Sequence, residues 1–124
     1  MKSKKIKYEI IRDMADKLYK RTFHHTMFQV AHVMIEGKKK YPKDNWNERP
    51  LKHHLSHIRK HLDDYEANPC FDNLEELTHA CTRIIMITTS LINNNIEEYG
   101  KHVARLEQPI CIEEEEQFQM LRIY

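Results

Sequence analysis

The apolar side chains of residues 51–66 recur every three or four positions, which is the spacing of an amphipathic α-helix. They are Leu51, Leu55, Ile58, Leu62 and Tyr65. A second stripe runs beside them, because at ~100° per residue its histidines project within about 60° of one another. This stripe consists of His54, His57 and His61, continued by Asp64. The segment therefore predicts a helix that buries one face and carries a row of imidazoles along its edge.

A further helix is predicted over 73–92, after residues 67–73 interrupt the periodicity. Its first turns carry Glu75, Glu76 and His79. Both carboxylates lie three or four positions before the imidazole, so all three share one side of the helix. If the two helices pack antiparallel across the short break, the carboxylates and imidazoles of both can face one another.

The composition favours helices elsewhere too, because two Gly and four Pro among 124 residues leave few tight turns. Helices are also predicted over 5–19, 27–36 and 95–107, the second with Thr26 as N-cap and Gly37 as C-cap. The predicted fold class is therefore all-α, a compact bundle of four or five helices.

The predicted bundle is a single domain of residues 1–124, in which residues 108–124 can form an acidic C-terminal extension. Its core is predicted where the two helices of residues 51–92 pack together. The residues expected to be buried there are Leu55, Ile58, Leu62, Leu77, Cys81 and Ile84. Truncation of Leu55 or Leu62 to Ala is expected to cost about 2–5 kcal/mol.

The charge balance argues against several classes of partner. Twenty Lys and Arg stand against nineteen Asp and Glu, so the chain has no overall signature of nucleic-acid or membrane binding. The three cysteines contain no CxxC pair and are odd in number, which predicts reduced thiols in a cytoplasmic protein. The first residues lack the apolar segment of a signal peptide, and the apolar run at 84–87 is too short to cross a bilayer.

The irregular segment predicted over 38–50 combines cations with aromatic rings. Lysines suit the phosphates of a nucleotide, and a ring suits stacking on its base. The candidate substrate-binding residues are Lys40, Tyr41, Lys43 and Trp46. The structural alternative is that the rings pin a long loop to the domain while the lysines are solvated.

Three motifs in order carry a resemblance to a known family. They are VAHVMIEGKKKYPKDNW, HHLSHIRKHL and DNLEELTHACTRIIMI, within about residues 27–92. In order and spacing they resemble the small, mostly phage-encoded proteins of the dATP/dGTP diphosphohydrolase N-terminal-domain family. The resemblance implies metal-dependent hydrolysis of purine deoxynucleotide phosphates in a phage or bacterial setting, and hence in the bacterial or host cytoplasm.

The resemblance also implies roles for individual residues. The implied metal ligands are His57, Glu76 and His79. The stripe of residues 51–66, and not the resemblance, supplies the further catalytic candidates and reserve metal ligands His54, His61 and Asp64. Either His54 or His57 can be the histidine of the family's Arg-His-Leu-like helix. Glu76 stands where the family pattern has His, and a site richer in carboxylate favours Mg²⁺ or Mn²⁺, with Co²⁺ or Zn²⁺ as alternatives.

Other interpretations stay open. One is a non-catalytic nucleotide-binding protein, for example one that sequesters a host-defence signalling nucleotide. Another is an interaction module that forms a homo-oligomer through its helices. At the level of residues, the histidines of the 51–66 stripe can simply edge the core, while Glu75, Glu76, His79 and Arg83 form a solvated face. His24, His25 and His32 can join a metal site but suit the surface better, and the acidic run at 113–116 suits a solvated segment.

Overall fold

The computed structural model describes residues 3–6, 8–43, 46–106 and 110–113. Within these residues there are five α-helices, α1 (Tyr8–Lys17), α2 (His24–Lys40), α3 (Leu51–Ala67), α4 (Leu74–Asn93) and α5 (Ile96–Leu106). Two short strands also occur, β1 (Ser3–Ile6) and β2 (Ile110–Glu113). The predicted all-α fold class with four or five helices is confirmed, and the strands are an addition that the sequence did not predict.

The chain divides into two units, each with its own internal contacts. The first unit takes residues 1–24 and 95–124, and the second takes residues 25–94. The second unit therefore holds α3, α4 and all but the first residue of α2. The prediction of one domain over residues 1–124 stays a prediction, and residues 114–124 of the proposed acidic extension lie outside the described part.

In the first unit, β1 and β2 form an antiparallel ladder. Its paired positions run from Ser3 with Glu113 to Ile6 with Ile110. The prediction of a helix over 5–19 is therefore wrong at its start, because α1 begins only at Tyr8, and a π-helical turn, Leu18–Thr22, follows it. The ladder gives the backbone hydrogen-bond partners from the other end of the chain. Local apolar spacing around Ile6 carries no information about that pairing.

α2 is longer than predicted at both ends. The prediction placed its caps at Thr26 and Gly37, but both residues lie inside the helix. The backbone of Gly37 is not left-handed, and its carbonyl accepts a hydrogen bond from the Tyr41 N–H at 2.9 Å. Glycine permits a left-handed cap without requiring one, and the three lysines that follow suit the negative end of the helix dipole. The loop before α3 is correspondingly shorter and contains a 3₁₀ turn, Trp46–Glu48.

α3, α4 and α5 match their predicted spans within one residue at each end. Pro50 precedes α3 with φ −59° and ψ 144°, so it stands at the N-cap rather than at the first helical position. α3 packs against α4. The two run antiparallel, because His61 late in α3 contacts Glu76 early in α4, whereas His54 contacts the later residue Arg83.

The buried residues differ from the predicted core. In the described chain they are Val30, His54, Ile58, Thr78, Ala80 and Thr82. Ile58 thus confirms the prediction, and Leu55 and Cys81 are half-buried. Leu62, Leu77 and Ile84 are exposed by 37%, 39% and 45%, so their assignment to the core was wrong.

Threonine hydroxyls explain how α4 can bury a polar face. Thr78 donates to the Leu74 carbonyl at 3.0 Å, and Thr82 donates to the Thr78 carbonyl at 2.8 Å. These bonds satisfy both hydroxyl donors inside the helix, so burial leaves neither of them unpaired. Because α4 carries apolar side chains on several faces, its periodicity does not decide which face is buried.

No helix in the described ranges has the length and apolar character needed to span a membrane. Cys70 is exposed and Cys81 is half-buried, and both are free thiols. The prediction of a reduced, cytoplasmic protein stays a prediction.

Candidate functional site

A cleft of about 1070 Å³ lies in the second unit. Its walls are the C-terminal half of α2, the turn at Trp46, the N-terminal half of α3, and α4 from Glu75 to Met86. Segments that are far apart in sequence therefore contribute side chains to one concave surface, which is the usual setting of a ligand site.

Cations predominate over carboxylates among the described residues that line this cleft. The cations are Lys38, Lys39, Lys40, Arg49 and Arg83. The carboxylates are Glu36 and Glu75. Two of the lysines also contact nearby residues. Lys38 Nζ donates a hydrogen bond to the Pro42 carbonyl at 2.9 Å, and Lys39 Nζ lies 3.6 Å from the Glu36 carboxylate. The balance of charge favours an anionic ligand.

Two aromatic rings accompany the cations. Tyr41 follows the last residue of α2 and is exposed, with Lys40 Nζ 5.6 Å from its ring centroid. Trp46 opens the 3₁₀ turn and is half-buried. Both rings line the cleft, so flat apolar faces and positive charges share one surface.

His54 is a buried polar residue that lines the cleft, with 3% exposure. Its Nδ1 lies 3.0 Å from Arg83 Nη1, and its Nε2 lies 3.0 Å from the Trp46 carbonyl oxygen. A guanidinium can only donate, so Nδ1 accepts from Arg83, and Nε2 carries the hydrogen that is donated to Trp46. This pattern requires the neutral imidazole, and it engages both ring nitrogens with protein atoms.

His57 lies one turn beyond His53 on α3, and the two ring centroids are 4.5 Å apart. Burial lowers the pKa of His57 below its usual 6.5. The positive charge of Arg83 lowers this pKa further, as do His53, His61 and Lys60. His57 is therefore neutral at pH 7, and an imidazole in this state can accept a proton.

A second cluster joins α3 to α4. His61 Nδ1 lies 2.7 Å from Glu76 Oε2, and both side chains are partly buried. The rings of His61 and His79 stack with centroids 5.0 Å apart. His79 Nε2 also lies 3.5 Å from Glu75 Oε1, whose side chain is largely exposed.

The structure brings some of the predicted site residues together in the cleft and places others outside it. Lys40, Tyr41 and Trp46 line the cleft with His54, His57 and His79. The structure pairs Glu76 with His61 rather than with His57, and neither His61 nor Glu76 is among the residues that line the cleft. No group of three or more His, Cys, Asp or Glu side chains in the described ranges is arranged to hold a metal ion.

Two other candidates lie apart from the cleft. Lys43 is exposed and does not line it. Asp64 is exposed on α3, and its main-chain carbonyl accepts a hydrogen bond from Asn73 Nδ2 at 2.9 Å. The substrate-binding role of Lys43 and the catalytic role of Asp64 stay predictions without support from their positions.

Arg83 is the main residue whose position the sequence did not predict. One open interpretation placed it on a solvated face, yet it lines the cleft and bonds the buried His54. A signal was present, because Arg83 follows His79 by one helical turn and so shares its edge of α4. Of the remaining histidines, His32 lines the cleft, whereas His24 and His25 are exposed elsewhere.

The chain matches one protein family by its sequence. The model of the family described as dATP/dGTP diphosphohydrolase, N-terminal, matches residues 1–99. No curated protein and no solved structure matches the chain. The match covers all of the residues that line the cleft.

Proposed function

Because the chain belongs to the family of dATP/dGTP diphosphohydrolase N-terminal domains, we propose that its cleft binds a purine deoxynucleoside triphosphate and takes part in hydrolysing its phosphates. The observation that carries this proposal is the lining of the cleft, which combines lysines and arginines with two aromatic rings. Ammonium and guanidinium groups neutralise phosphates through charge-assisted hydrogen bonds. Tyr41 and Trp46 offer faces on which a purine can stack.

The proposed roles follow from charge and position. Arg83 and Arg49 are the guanidinium groups that bind the phosphates, because their planar donors suit paired phosphate oxygens. Lys40, at the end of α2, adds a point charge beside the Tyr41 ring. His57 receives the proton of the attacking water, since its lowered pKa keeps it neutral at pH 7.

The resemblance to the family implies that hydrolysis depends on a divalent metal. A protein-held ion needs at least three ligands within about 2.0–2.6 Å. Glu76 is engaged by His61 instead, and the described residues provide no group of three suitable side chains. The roles proposed above therefore assign no function to a protein-bound metal. The ligand set His57, Glu76 and His79 stays a prediction.

The second candidate is capture of a nucleotide without turnover. Binding requires only the cations and rings that line the cleft. The one carboxylate that α4 contributes to the lining is Glu75, and its side chain is 83% exposed, so α4 places no partly buried carboxylate in the cleft. The same cleft therefore supports a binding protein as well as a hydrolase.

One assay separates these candidates. The protein is incubated with dATP or dGTP in Mg²⁺, Mn²⁺, Co²⁺ or EDTA, and release of phosphate and pyrophosphate is measured. Turnover of either nucleotide supports hydrolysis. If calorimetry shows binding but neither product forms, the capture function is correct. If no nucleotide binds or turns over under any of these conditions, both candidates are wrong.

A matched pair of arginine variants tests the cleft. Arg83→Met removes the guanidinium from the cleft, and a lost hydrogen bond to a charged group corresponds to a Kd for dGTP about tenfold higher. Arg59→Met changes the same residue type on the exposed side of α3, outside the cleft lining, and should leave the Kd unchanged. Equal effects of the two variants would show that nucleotide is attracted by general charge rather than bound in the cleft.

A further inference from the structure

We propose that His54 is a positioning residue that links the phosphate-facing guanidinium of Arg83 to the turn presenting Trp46. The consequence for nucleotide binding rests on the proposed function, whereas the link itself is a property of the protein without nucleotide. His54 was among the catalytic candidates, and the geometry points to a different role for it.

The two hydrogen bonds of His54 exclude direct chemistry by this imidazole in its observed state. Arg83 occupies Nδ1 and the Trp46 carbonyl occupies Nε2, each at 3.0 Å. The ring is 3% exposed, so substrate cannot reach a nitrogen without displacing one of these partners. A buried group with every polar atom satisfied holds its neighbours in place.

The link joins three segments of the second unit. His54 belongs to α3, Arg83 belongs to α4, and Trp46 begins the turn that follows α2. Within that turn, the Trp46 carbonyl also accepts a long hydrogen bond of 3.3 Å from the Arg49 N–H. The shorter bond from His54 fastens the turn to α3.

The consequence is that one imidazole sets both ends of the ligand site. Arg83 faces the proposed phosphates and Trp46 faces the proposed base, and both line the cleft that contains His54. A change that frees the imidazole should loosen the guanidinium and the ring together. Independent anchoring would instead let each move without the other.

Trp46 is the single tryptophan of the chain, so intrinsic fluorescence reports on its turn directly. Acrylamide quenching is measured without nucleotide for the wild type, Arg83→Met, His54→Leu and the double variant. We expect Arg83→Met to increase quenching in the wild-type background and to add nothing in the His54→Leu background. Thr78→Val is the control, because Thr78 is buried on α4, its side chain hydrogen-bonds to the Leu74 carbonyl of the same helix, and it does not line the cleft.

The nucleotide arm uses dGTP as the probe. His54→Leu should raise its Kd about tenfold, the effect of losing a hydrogen bond to a charged group. His54→Gln retains one acceptor and one donor and should restore the Kd to within about threefold of the wild type. Thr78→Val should leave the Kd unchanged, which separates loss of positioning from general loss of stability.

Each outcome decides the proposal. It is overturned if Arg83→Met leaves the quenching of Trp46 unchanged, or if the effects of Arg83→Met and His54→Leu on quenching simply add. If His54→Leu does not fold, Arg83→Met is measured in the wild-type and His54→Gln backgrounds instead. A change in the quenching of Trp46 on replacing Arg83 supports the link, and unchanged quenching overturns it. If wild-type protein does not bind dGTP, the proposed function fails, and the nucleotide-free quenching still decides the role of His54.

Discussion

Ile58→Ala should destabilise the protein far more than Leu62→Ala, although both residues lie on the apolar stripe of α3. Ile58 is 6% exposed and Leu62 is 37% exposed. Truncation of Ile58 removes three carbons, and at about 0.8 kcal/mol per buried CH₂ this loses about 2.4 kcal/mol of transfer free energy. The cavity left behind raises the total to about 3–4 kcal/mol. At Leu62 solvent already reaches the side chain, so the smaller loss of burial predicts about 1–1.5 kcal/mol.

The assay is urea unfolding followed by circular dichroism at 222 nm, with the melting temperature as a second readout. A difference of about 2 kcal/mol corresponds to roughly 6–10 °C between the two variants in a chain of this length. The slope of the free energy of unfolding against urea should stay the same, so that the midpoint reports stability alone. Equal losses for the two variants would refute this assignment of faces and restore the core predicted from apolar spacing.

Three further predictions concern single residues. Gly37→Ala should stabilise the fold by about 0.5–1 kcal/mol, because Gly37 lies inside α2 with open space around the added methyl group; a lower melting temperature would show that Gly37 acts as a left-handed cap after all. His57 should titrate below 6.5 in an NMR pH series because burial, then Arg83, disfavour its charged form. The unfolded chain then binds more protons than the folded chain, so the free energy of unfolding rises with pH between the folded pKa of His57 and about 6.5. The stability that neutral His57 contributes is therefore present above about pH 6.5 and is lost as the pH falls through the folded pKa. In His57→Gln this part of the dependence of the unfolding free energy on pH should be absent. Glu76→Gln should cost about 0.5–1.5 kcal/mol in urea unfolding by weakening the bond to His61, and no change would mean that this contact is not maintained in solution.

The helical spans from residue 51 onward were accessible to sequence reasoning because short-range forces determine them. The apolar spacing of α3 and the break before α4 are local features, and the structure reproduces both. Gly37 shows where local reasoning stops, because the same residue can end a helix or continue it. The three lysines after Gly37 continue α2, and no rule applied to glycine alone would have shown this.

The candidate site was accessible only in part. Lys40, Tyr41 and Trp46 were chosen for their chemistry, and all three line the cleft. Lys43 has the same chemistry and lies apart from it. Composition identifies side chains that suit a nucleotide, but it does not give their direction, which depends on the path of the backbone after α2.

The partners of the histidines required the packed structure. His54 meets Trp46 eight positions before it and Arg83 twenty-nine positions after it, and His61 meets Glu76 fifteen positions away. Helical periodicity extends over a few turns, so it could place these groups on one edge of each helix but could not match the edges. The matching depends on how α3 and α4 are rotated against each other. α4 buries Thr78 and Thr82, whereas Leu77 and Ile84 remain exposed. Threonine hydroxyls that bond within the helix can be buried at little cost, whereas an apolar side chain is buried only where a neighbouring element covers it.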